Sequence, residues 1–229
     1  MKRSRVNEII REGDAFIRSF GYLLPPFAYW APAELAGRRP GGIVGARLGW
    51  DITDYGRERF DELGLFLFTV RNGFAEDLAR GGGRIYAEKI MISRKDQLSP
   101  MHRHVVKAED IINRGGGRLV LQLHASRPDG GIDEEAPVTV PCDGVERSLP
   151  SGGLLSLEPG ESVTLLPGVW HAFWAEGADV LIGEVSMVND DLTDNVFAEP
   201  LPRFSRIEED EAPLRLLVSD YDAWMAPER

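Results

Sequence analysis

The sequence predicts a mainly β fold, an antiparallel barrel of jelly-roll type with an N-terminal helix and short extra helices. From Leu48 onward the chain breaks into short runs of Val, Ile, Leu, Phe and Trp, closed off by Asn-Gly, Asp-Gly and Pro-Gly pairs. Many short strands at such spacing argue for a barrel or sandwich. The long helical stripe lies ahead of them, and no repeat, low-complexity tract or linker divides the chain. The expectation is one domain over residues 1–229: a helical and extended decoration at 1–47, the barrel at 48–200 and a C-terminal extension at 201–229.

Val6, Ile9, Ile10, Phe16, Ile17 and Phe20 fall on one helical face, so residues 4–19 read as an amphipathic helix that Gly21 stops. Such a helix packs on the outside of a barrel or reaches a partner subunit. With the stiff, proline-punctuated segment from Leu24 to Pro32 behind it, it points to a homodimer. A short helix is expected near 32–37 and a loop from Arg38 to Gly42.

The β pattern opens at Leu48–Thr53, and Leu63–Val70 is a strand ended by Asn72-Gly73. Tyr86–Ile92 alternates, and another strand follows Ser99-Pro100. Asn113 to Gly117 reads as a turn, with Leu119–His124 resuming a strand. Val138–Leu149 reads as a hairpin about Asp143-Gly144. Leu154–Leu157, Ser162–Leu166, His171–Trp174 and Val180–Val185 complete the series, the last two parted by Glu176-Gly177-Ala178. Glu208 to Glu211 reads as a solvated loop, and Leu214–Val218 as a final strand.

The formal net charge is −11. That balance repels phosphate backbones and anionic lipid, so nucleic acid and membrane surfaces are poor partners and a small molecule fits better. A hydrophobic fraction of 43% supplies a normal core and excludes a disordered chain. Cys142 is the single cysteine, which removes any intrachain disulfide. Asn7, Glu8, Arg11, Glu12 and Asp14 interrupt what would be the apolar core of a leader, and no run approaches the ~18 apolar residues of a membrane span. A cytoplasmic protein is expected.

Three of the four histidines occur in two short stretches, Met101–Glu109 and Leu166–His171. On a strand, side chains two apart share a face, so His102 and His104 aim into one cavity. Glu109 can return a carboxylate to it, and His171 starts a strand after the Pro167-Gly168 turn. Three imidazoles and a carboxylate suit a divalent transition metal, with positions left open for a substrate. Mn, Fe, Co, Ni and Zn all accept such ligands.

Lys107 reaches the same cavity only if a bulge intervenes in the strand, because 102 and 107 differ in parity; otherwise it is an exposed lysine. Glu184 is an acid inside an apolar strand. It is either an inward-facing general base or a residue that alternation turns to solvent. Asn189, Asp190 and Asp191 add polar groups just beyond that strand. His124 has no acid or second histidine nearby and reads as structural.

The spacing His-x-His-x4-Glu followed by Pro-Gly-x-x-His resembles the two metal motifs of the cupin superfamily. More specifically, the chain resembles the cupin-type D-lyxose isomerases. That resemblance runs through Leu24–Ala28, Leu48–Asp51, Phe68–Gly73, Tyr86–Met91, Pro100–His102, Glu109–Gly117, Gly183–Ser186 and Asn189–Asp191. It implies a metal-dependent aldose–ketose isomerase acting on D-lyxose and D-mannose. The implied metal site is His102, His104, Glu109 and His171, with Mn(II) the usual ion. Glu184 is then the candidate base moving a proton between C2 and C1 through an enediol, and Lys107, Asp190 and Lys89 position sugar oxygens. At Arg103 and Val105 the chain departs from the aromatic residues of the family, which would alter the cavity wall or rim. An Fe(II) dioxygenase of the same fold and a non-catalytic sugar-binding cupin are the competing readings. Conspicuous polar groups favour a polyol over the first, and no DNA-binding module supports a regulator.

Overall fold

The computed structural model describes residues 1–225. The element order is α1 (Arg3–Ser19), α2 (Pro32–Gly37), α3 (Gly41–Gly45), β1 (Gly49–Thr53), β2 (Leu65–Arg71), α4 (Ala75–Arg80), β3 (Tyr86–Ser93) and β4 (Ser99–His104). There follow β5 (Glu109–Ser126), β6 (Ile132–Asp133), β7 (Val138–Cys142), β8 (Val145–Leu149), β9 (Gly153–Leu157), β10 (Ser162–Leu165), β11 (Trp170–Met187), β12 (Asn195–Phe197) and α5 (Tyr221–Trp224).

Ten strands form one curled antiparallel sheet, and β7–β8 form a separate hairpin. Its turn sits at Asp143 (φ 49°) and Gly144 (φ 82°), the doubly positive φ that the Asp-Gly pair predicted. The long strand β11 organises the sheet. One edge pairs first with β4 and then with β3; the other pairs with β5 along most of its length.

Each face of β2 is buried, which explains its density of Leu and Phe. Phe66 and Phe68 pack outward under α1, where Val6, Ile9, Ile10 and Ile17 are no more than 3% exposed. Burying four such side chains contributes about 1.5–3 kcal/mol each, as an upper estimate. Leu65 and Leu67, one step out of phase, face the interior of the curl. The helix therefore spends most of its apolar stripe on its own barrel, with Phe20 at its end left 40% exposed.

Two expected turns are absent. Asn113 to Gly117 lies inside β5, and Glu176-Gly177-Ala178 lies inside β11. Both strands bend there instead of ending, with the register slipping between Glu176 and Val180 and again between Leu181 and Ile182. Gly116 (φ +103°) lets the backbones close up, since a Cβ on it would lie 2.0 Å from the Asp179 carbonyl oxygen. Asn113 ties the bend down, its amide donating to the carbonyls of Gly117 and Leu157, each at 2.9 Å.

The C-terminal segment also departs from expectation. Leu214–Val218 touches β1 at a single bridge, Trp50 to Leu217, then winds into a 3-10 turn at Val218–Asp220. The acidic stretch before it, exposed as expected, clasps α1. Glu209 pairs with Arg3, Asp210 accepts from the Ser4 backbone and hydroxyl, and Glu211 accepts from Asn7. The loop expected from Arg38 to Gly42 gives way to α3 at Gly41.

Candidate active site

Strand register builds the site. His171 on β11 stands directly opposite His102 on β4, and His104 lies two residues further along β4 on the same face. The three rings offer nitrogens within 4.8 Å of one another. His102 Nδ1 donates to the Pro100 carbonyl at 2.8 Å, and His171 Nδ1 to that of Val169 at 3.0 Å. Both bonds fix the tautomer and leave the Nε2 lone pairs to the cavity. Burial and the neighbouring rings hold His102 well below the usual histidine range, and burial lowers His104 too, which favours the neutral form that a metal ligand needs.

Glu109 opens β5 and turns back to the same point. Its Oε1 lies 3.2 Å from His171 Nε2 and 3.4 Å from His104 Nε2. Burial opposes its ionisation, but the neighbouring Lys107 ammonium outweighs that and holds the carboxyl well below the usual range. The donor set, three imidazole nitrogens and an ionised carboxylate, fits a divalent transition ion.

Lys107 is inside the cavity, 2% exposed. Parity is broken not by a bulge but by the end of β4: residues 105–108 form a turn between β4 and β5. Asp194, itself buried, holds that turn by accepting from the backbone amides of Val105, Val106 and Lys107 at 2.9, 2.6 and 3.0 Å. Lys107 Nζ lies 2.6 Å from Glu109 and 2.9 Å from Glu184.

Glu184 is 3% exposed and points inward. Across β11–β3 it faces Lys89, whose Nζ lies 3.0 Å from its Oε1; across β11–β5 it faces Ile111. Burial would raise its pKa, yet Lys107 and Lys89 lower it below the usual range, so Glu184 is ionised. Burial lowers Lys89, partly offset by Glu184. Lys89 Nζ also donates to Asn189 Oδ1 at 2.6 Å.

The cavity encloses about 450 Å³ of empty space, open solvent at its mouth included. The structure thus brings together His102, His104, Glu109, His171, Lys107, Glu184 and Lys89. Asp190 is not among them. Its carboxylate accepts from Leu192 and Thr193 in the turn that it caps, while its neighbours Asn189 and Asp191 face the cavity. Arg103 and Val105 do not line it either. Arg103 lies over the Trp170 ring on the far side of β4, and Val105 is 50% exposed. His124 keeps to its structural place, hydrogen-bonded to Ser151 at 2.9 Å.

Tyr55, Asn195, Phe197 and Arg203 complete the wall, and sequence reasoning missed all four. They come from loops and from the three-residue strand β12, which has no periodicity to read. Such groups become visible only through the register that sets Asn195 opposite His104.

Comparison with known proteins places this architecture. The family described as D-lyxose isomerase matches residues 1–221. The D-lyxose/D-mannose isomerase of Serratia proteamaculans is 46% identical, covering 99% of this chain and all of its own. That of Escherichia coli O157:H7 is 44% identical, covering 96% and 98%. Among solved structures, the L-ribose isomerase of Cellulomonas parahominis with L-ribose superposes with a TM-score of 0.60 at 16% identity, over 91% of this chain and 98% of its own. The L-ribose isomerase of Acinetobacter sp. DL28 gives the same values. At that identity the likeness concerns the fold.

Proposed function

The chain belongs to the D-lyxose isomerase family and is a sugar isomerase, and we propose that it converts D-lyxose to D-xylulose and D-mannose to D-fructose with a divalent metal. His102, His104, Glu109 and His171 would hold the ion, with Mn(II) the proposed one and Fe, Co, Ni or Zn compatible with the same donors. When bound, it supplies a Lewis acid that polarises the substrate carbonyl and stabilises negative charge on its oxygen.

The observation that carries the reading is Glu184, an ionised carboxylate held between two buried lysines on the face that also bears the donor set. An aldose with C1 and C2 beside the histidines brings its C2–H to this wall. Glu184 takes that proton and returns it to C1, through an enediol. Lys107 and Lys89 keep it ionised between turnovers and donate to the sugar oxygens that gain charge. Asn189 and Asp191 take the sugar-positioning part expected of Asp190. The homodimer and the cytoplasmic setting belong to the same proposal.

Glu184→Gln tests the assignment. Turnover should fall by ~10²–10⁴ with metal content unchanged, the usual value of a general base. Solvent deuterium should enter C1 of the ketose in the parent protein. Full activity in the variant removes Glu184 from the role, and turnover without exchange replaces the enediol by a hydride shift.

A further inference from the structure

Two buried polar atoms in the cavity wall have no hydrogen-bond partner among the described residues: Arg203 Nη1 and Asn195 Oδ1. Buried polar groups are almost always satisfied, so such atoms need an explanation. Arg203 is 10% exposed and held at two of its nitrogens, with Nη2 2.6 Å from Asp51 and Nε 3.3 Å from Asp191. Two of its three nitrogens are thus occupied in holding it still, and the third, Nη1, is left without a partner on a residue that lines the cavity. Asn195 sits opposite His104 in the β12–β4 register, and Phe197 opposite His102. Asn195 therefore projects from the same face as the histidines.

The orphans are one donor and one acceptor. A sugar hydroxyl both donates and accepts, so a pair of hydroxyls, or one shared hydroxyl, would satisfy both. A guanidinium stays protonated and cannot exchange protons with C1 or C2. The reacting carbons are moreover already served by Glu184, Lys107 and the donor set.

We infer that Arg203 and Asn195 form a hydroxyl-binding subsite for the unreactive part of the sugar, at C3, C4 or C5, and so decide which aldoses the site accepts. This rests on the proposed isomerase reading for the identity of the ligand. A site built to hydrogen-bond a hydroxyl rejects the analogue lacking it far more strongly than an apolar pocket rejects an extra methylene. Arg203 and Asn195 are positioning residues here.

The test is binding, which needs no turnover. D-arabinitol, the alditol made by reducing D-lyxose, cannot isomerise. Its affinity and those of its 3-, 4- and 5-deoxy analogues (numbered as in lyxose) are measured by calorimetry on the protein supplied with Mn(II). One deoxy position should weaken binding by roughly ten- to a hundredfold, the usual worth of a hydrogen bond to a charged group. In Arg203→Lys and Asn195→Leu that loss should shrink to within about threefold, since the partner is already gone. Asn195 carries no ion pair, so its variant serves if the Arg203 variant fails to fold.

Equal binding of all four alditols to the parent protein overturns the inference, as does an undiminished loss in both variants or no alditol binding at all. Alditol binding with the predicted pattern, beside no ketose from any aldose, supports the subsite and sinks the isomerase reading alone.

Discussion

Lys107 and Glu184, seventy-seven residues apart in the chain, meet inside the cavity with Nζ 2.9 Å from Oε1, the two side chains only 2% and 4% exposed. The same Nζ lies 2.6 Å from Glu109. One ammonium thus ties the carboxylate of the donor set to the carboxylate assigned as base. Burial weighs against that ammonium, but the two acids outweigh it and keep Lys107 charged.

Lys107→Met leaves both carboxylates buried without their shared cation. Removing one partner of a buried pair costs about 3–5 kcal/mol, read as a lower denaturant midpoint. Adding Glu184→Gln should recover part of that loss, because the two sites are coupled. Losses that simply add would show that Lys107 is tied to Glu109 alone.

Arg3→Ala should destabilise the fold while sparing the site. Arg3 is fully buried, and its guanidinium makes two 2.9 Å bonds to Asp220. The loss should again be about 3–5 kcal/mol, with kcat unchanged at temperatures where the variant is folded. A fall in kcat without a fall in melting temperature would contradict this.

The clasp between α1 and the acidic stretch gives a pH dependence. The bond from Arg3 holds Glu209 below its ordinary 4.5, and the bonds from Ser4 hold Asp210 below its ordinary 3.8. Lowered folded-state values mean stability fully present above the unfolded values and lost as pH falls through the folded ones. The melting-temperature gap between the parent and Glu209→Gln should therefore be constant at neutral pH and close below about pH 4.5. A gap that widens on acidification would reverse the sign.

Gly116→Ala should cost more than about 1 kcal/mol, since its positive φ and the nearby Asp179 carbonyl leave a Cβ no room. Gly160, also at positive φ but with nothing within 4 Å, should tolerate alanine better. Equal effects would remove the close approach as the cause.

Much of this was legible in the sequence because period-2 alternation and ligand spacing are local. His102 and His104 share a face by parity, and α1 declared itself by its stripe. The bends at Gly116 and Gly177 look like turns in the sequence because glycine marks either. A kink inside a strand is told from a strand end only by the partner strand. Asp190 was expected in the cavity and Asp191 is there, a one-residue choice made by the capping bonds to Thr193. Arg203 and Asp194 gave no local signal, since what places them is pairing with Asp51 and with the 105–107 amides.

The central claim is tested most directly by stripping the protein with chelator and assaying D-lyxose and D-mannose for ketose, before and after Mn(II) is restored. The account predicts no ketose from the stripped protein, and D-xylulose and D-fructose on restoration at one ion per chain. Restored metal without ketose from either sugar, or full activity in the stripped protein, would contradict it.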